Sequence, residues 1–154
     1  MRQNEPRCVI FHCTASPDYR KGDPLFDSVN AEKVDQWHRE RGWNKIGYHW
    51  LILRSGKIER GREEIEIGAH CVGHNFRSIG VAWVGTEEPT IDQMYAIKML
   101  YEDIFQRRSI TWDLWFPHNA FTSKKRCPVV SMSEVGEWIH SGVLTGSLAA
   151  KVQI

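Results

Sequence analysis

Charge of one sign is what this sequence most lacks. Its 154 residues carry 20 Lys and Arg against 19 Asp and Glu, a formal net charge of +1, and the one dense basic run is Lys124, Lys125 and Arg126. A chain so balanced has no extended field for gripping a phosphate backbone, which argues against nucleic acid as a partner. A long apolar opening is lacking too. The polar residues 1–7 lead only into a short apolar run at 8–11, too brief for a signal-peptide core or a membrane span. The expectation is a chain made in the cytosol without a membrane anchor. Cysteine is sparse, and in the reducing cytosol the four present are metal ligands or small core residues rather than a disulfide framework. No Cys-x-x-Cys or His-Glu-x-x-His cluster occurs, nor any repeat or low-complexity tract. There is also no clear pair of catalytic carboxylates of the kind glycoside hydrolysis uses.

What is there describes one ordinary domain. Apolar residues make up 42% and charged residues 25%, and 154 residues can bury a core without disulfides. Residues 7–14 are apolar at nearly every position, as in a central strand covered on both faces. Period two puts Cys8, Ile10 and His12 on one face and Val9, Phe11 and Cys13 on the other, with His12 near the strand's C-terminal end, where α/β sheets place their sites. Asn30 caps an expected helix over 31–41 with Gly42 as its stop. Residues 50–53 and 57–60 flank Arg54, Ser55 and Gly56 as a hairpin, and 78–84 is a third β-rich run. Thr90 and Gln93 form a capping box ahead of the strongest helix, to Arg108, whose stripe is Ile91, Met94, Ile97, Tyr101, Ile104 and Phe105. Residues 110–116 suggest a strand running into Pro117 and His118. A last helix begins with a second capping box, Ser131 and Glu134, and ends near Gly142. The domain is thus drawn over 1–142, with 143–154 an unassigned tail.

A catalytic zinc takes three protein ligands from His, Cys and carboxylate and leaves a fourth position open. Seven histidines and four cysteines allow many such sets, so composition proposes a metal without placing it. Four separated segments narrow the choice: Phe11-His12-Cys13-Thr14-Ala15, Gly42-Trp43 with Gly47-Tyr48-His49, Ser78-Ile79-Gly80-Val81, and Lys125-Arg126-Cys127-Pro128. In this order, from about Cys8 to about His140, the chain resembles the zinc N-acetylmuramoyl-L-alanine amidases of bacteriophage lysis, relatives of the peptidoglycan recognition proteins. Each segment is weak alone; the ordered set is specific.

The resemblance implies an α/β domain, a central mixed β-sheet flanked by about three helices, with one Zn2+ in an open groove at strand ends. It implies His12, His118 and Cys127 as the metal ligands and Tyr48 and Lys125 as the catalytic pair, with Lys124 and Arg126 competing for the lysine's role. It implies His70, His74 and Asn75 as residues facing the substrate groove, and hydrolysis of the bond between N-acetylmuramic acid and L-alanine in bacterial peptidoglycan. Taken singly, His12 would read as a core histidine, Cys127 as a small buried residue and Tyr48 as a packed aromatic. His49 reads as an orienting residue, His38 and His140 as ordinary helix residues, and Cys8, Cys13 and Cys71 as core thiols. A monomer is expected, dependent on a membrane-permeabilising partner to reach the wall. Two other roles compete: a wall-binding module without activity, against which Cys127 stands, and a regulatory protein that binds a polymerase.

Overall fold

The computed structural model of the protein describes residues 2–122 and 127–154. At its centre five strands lie in the order β3-β2-β4-β1-β5. Strand β1 (Cys8–Cys13) runs parallel to β4 (Ser78–Trp83) on one side and to β5 (Trp115–Pro117) on the other. Next to β4 lies β2 (Trp50–Ile52), also parallel, and β3 (Ile58–Arg60) returns antiparallel to it, as the hairpin pattern predicts. Gly56 turns that hairpin at φ 88°, and a Cβ there would come within 2.7 Å of the Asp92 carbonyl oxygen, so both the dihedral and the space call for glycine. One antiparallel pair among parallel ones makes the sheet mixed.

The interior position of β1 and β4 explains their largely apolar sequences, since a strand covered on both faces has little room for regular alternation with polar residues. Val9, Phe11 and Cys13 join Ile79, Val81 and Trp83 in the larger core. Helices α2 (Ile91–Arg108), α3 (Met132–Ser141) and α4 (Gly146–Lys151) cover that face. On the other face Leu51, Leu53, Ala82 and Val84 pack with Val34 of α1 (Ala31–Glu40) in a smaller core. His12 sits on this second face, at the end of β1. There α1 lines a cavity beside it through Val34, Trp37 and His38.

The caps follow the sequence, with informative departures. Thr90 and Gln93 make the full capping box. Gln93 is wholly buried because its amide also donates to the Ile52 and Val84 carbonyls. Of the α2 stripe, Met94, Ile97, Tyr101 and Ile104 are buried, but Phe105 is 46% exposed, one position round the helix from Ile104. Ser131 caps α3 as expected, accepting from the Glu134 N–H, whereas the Glu134 carboxylate turns to α4 and accepts from the Ser147 and Leu148 N–H groups. A negative charge at the start of a helix is favourable. The unassigned tail is therefore built into the body. Leu148 is buried, and Gln153 exchanges backbone hydrogen bonds with Pro89 and Ile91. The described residues thus hold four α-helices where about three were expected. Residues 110–116 differ as well, forming a 3-10 turn, Trp112–Leu114, before β5 begins.

Candidate metal centre

Parallel pairing brings the first two ligand candidates together. Phe11 of β1 lies opposite Pro117 of β5, so the next residue on each chain, His12 and His118, emerges at the same end of the sheet, their ring centroids 4.4 Å apart. Cys127 comes from beyond the neighbouring segment and is held by backbone. The Cys13 N–H donates to its Sγ at 2.9 Å, its thiol lies 3.2 Å from the Cys13 carbonyl oxygen, and the Asn119 N–H donates to its carbonyl at 2.8 Å. One nitrogen from each imidazole and the Cys127 sulfur lie within 4.8 Å of one another, an arrangement that could hold a metal ion. His12 is buried; His118 and Cys127 are half-buried, so the centre opens to one side.

The trio borders a cavity of about 120 Å³. Tyr48 forms part of its wall, its ring 5.2 Å from that of His12. Burial, together with the nearby Cys127 sulfur, holds the Tyr48 hydroxyl well above the usual phenol pKa. It therefore stays protonated and can donate a hydrogen bond. His38 has a larger part than an ordinary helix residue. Its Nδ1 accepts from the Gly47 N–H at 2.8 Å and its ring lies 5.3 Å from that of Tyr48, so α1 fixes the backbone that carries Tyr48. Nothing local in the sequence signals that bond, which joins positions nine apart across a loop. Cys13, read as a core thiol, is buried as expected, yet its backbone grips Cys127. A backbone contact leaves no side-chain pattern to read.

His70, His74 and Asn75 fall in three different settings. His70 is buried, and its Nδ1 lies 3.0 Å from His12 Nε2. Burial, then the neighbouring His49 and His118, lowers its pKa to about 3, so the ring is neutral. The Asn75 side chain accepts from the His70 and Cys71 N–H groups and closes the turn between them. His74 is exposed, with its ring 4.2 Å from that of Phe121. A second cavity of about 540 Å³ continues from His70 and His118 past Arg41, Trp43, Asn75 and Phe121. His49 orients backbone, as read from the sequence: its Nδ1 accepts from the Gly80 N–H and its Nε2 lies 2.7 Å from the Glu66 carbonyl oxygen. Burial lowers its pKa, which keeps it neutral. Lys125 lies outside the described residues, as do Lys124 and Arg126.

Residues 2–129 match the family model described as N-acetylmuramoyl-L-alanine amidase. The chain belongs to that family. Within it, the endolysin of Escherichia phage T7 is 40% identical over 85 residues, 54% of this chain and 52% of that protein. The endolysin of Enterobacteria phage K11 is 44% identical over 84 residues, 54% of this chain and 51% of its own. The chain thus spans about half the length of the phage endolysins it matches. Among solved structures, the amidase LysC from Clostridium intestinale URNW superposes with a TM-score of 0.69 at 30% identity, covering 81% of this chain and 77% of that one.

Proposed function

We propose that this member of the amidase family hydrolyses the amide between N-acetylmuramic acid and L-alanine in bacterial peptidoglycan, with one zinc ion held by His12, His118 and Cys127. The observation that carries the reading is the convergence of these three side chains, His12 standing more than a hundred residues before the other two, on one half-open point beside Tyr48. The donor set suits the metal. Two imidazoles and a thiolate favour zinc over magnesium or calcium, and three ligands leave room for water and substrate. The Cys13 N–H donates to the Cys127 sulfur and helps to hold it at the centre. Bound zinc supplies a Lewis acid that polarises the amide carbonyl and brings a water's pKa down to about 7.

The chain's own residues do the rest. Attack on an amide builds negative charge on the carbonyl oxygen, and a donor aimed at that charge lowers the barrier. Tyr48 fits this role because its hydroxyl remains protonated beside the centre. Lys125, two residues before Cys127, is the second such donor. The cavity past Trp43, Asn75 and Phe121 offers a course for the peptide side of the substrate, with the exposed His74 ring lying against that of Phe121. Among the described residues no helix is long and apolar enough to cross a membrane. As a further part of this proposal, the enzyme acts as a monomer and reaches the wall with the help of a separate membrane-permeabilising protein.

The test is removal and return of the metal. Chelated protein should lose hydrolysis of purified wall and regain it with about one equivalent of zinc, while Cys127→Ser should neither hold zinc nor respond. Full activity and metal content in Cys127→Ser would refute the ligand set.

A further inference from the structure

We propose that His70 is a positioning residue that fixes the tautomer and orientation of His12, so that His12 presents Nδ1 to the metal; this rests on the zinc reading above. The direction of each hydrogen bond follows from the far end of a buried chain. Ser78 Oγ lies 2.7 Å from the His74 carbonyl oxygen and 3.1 Å from that of Asn75. Carbonyls only accept, so the single Ser78 hydroxyl proton is committed to them. Ser78 Oγ can then only accept from His70 Nε2, 3.3 Å away, which places the ring proton of His70 on Nε2. In a neutral imidazole the other nitrogen is an acceptor. The 3.0 Å contact between His70 Nδ1 and His12 Nε2 is therefore donated by His12 Nε2–H. With its proton on Nε2, His12 carries its ligand lone pair on Nδ1.

The fold is shaped to hold His70 in that place. A Cβ on Gly80 would meet three ring atoms of His70 at 2.6 to 2.9 Å, and one on Gly68 would meet its Cδ2 at 2.6 Å. Both glycines make room for this ring. Gly80 lies on β4 opposite Ile10, two residues before His12, so the strand that pairs with β1 also seats the group behind His12. The Asn75 side chain fixes the His70 backbone from the other side. A histidine ligand whose second nitrogen donates to a fixed acceptor is held at one angle and is a better base for the metal.

Two variants separate hydrogen bonding from packing. His70→Asn puts an amide oxygen where Nδ1 stands and keeps the acceptor, and His70→Leu fills the space without one. Competition with a zinc chelator should show affinity falling roughly 10–100-fold in His70→Leu, the usual loss when a group behind a ligand is removed. His70→Asn should retain most of it, and the visible spectrum of the cobalt-loaded protein should shift only in His70→Leu. Equal affinity in His70→Leu and wild type, or equal losses in both variants, would overturn the proposal. Nitrogen NMR of chelated wild-type protein reads the tautomer without any metal. A proton on His12 Nε2 is expected, and one on Nδ1 would overturn the proposal even if both variants misfold. Failure of the wild type to bind zinc would refute the zinc reading alone, since the NMR result stands apart from it.

Discussion

Tyr48 and Lys125 are the two donors of the proposed mechanism, and each carries a separate expectation. Removing only the hydroxyl, in Tyr48→Phe, should lower turnover by roughly a hundred- to a thousandfold, the usual loss for one oxyanion donor, with zinc content unchanged. Lys125→Ala should lose about as much. Lys124→Ala should be nearly silent if the role belongs to Lys125 alone. Steady-state kinetics with metal analysis checks all three; equal losses for the two lysine variants would remove the assignment. At this scale the sequence makes identities legible and partners illegible. His12 and Cys127 stand in recognisable segments, yet the bonds that hold them come from the Cys13 backbone and the His70 ring, 114 and 58 positions away in sequence. A histidine beside a turn looks the same in one chain whether it faces a groove or backs a ligand.

Between elements, the buried carboxylate of Glu64 ties the segment after β3 to the end of α2. It accepts from Arg107, Arg108 and the Trp50 indole. Burial pushes its pKa up, but these hydrogen bonds outweigh that and bring it down to about 2 from the ordinary 4.5. A carboxyl whose folded pKa is depressed contributes stability above its unfolded value and loses it as pH falls through the folded one. Wild type should therefore lose stability between about pH 4.5 and 2 through this group. Glu64→Gln should be less stable at pH 7, with the gap closing toward pH 2. Urea melts at both pH values check this, and a constant gap would contradict it. Periodicity and caps made α1, α2 and α3 legible, because each records its own ends locally. The docking of α4 was not legible. Its N-terminal N–H groups are met by Glu134, which the sequence pairs with Ser131 instead, and six residues are too few to show a pattern.

Over the whole molecule, the nearly continuous apolar run of β1 points to a central sheet, and the ordered segments point to the family, but neither brings the centre together by itself. That is the work of strand order: β5 is the fifth strand in sequence yet pairs with the first, which sets His118 beside His12 across more than a hundred residues. Such a contact has no local signature and is reached from the sequence only through the family resemblance. The same topology leaves the centre half-open at strand ends, where a polymeric substrate can reach it. The central claim is that this centre cuts one amide and no glycosidic bond. Purified peptidoglycan digested with the zinc-loaded protein should release new α-amino groups on alanine while the glycan strands stay intact; new reducing sugar ends without free alanine amines would contradict it.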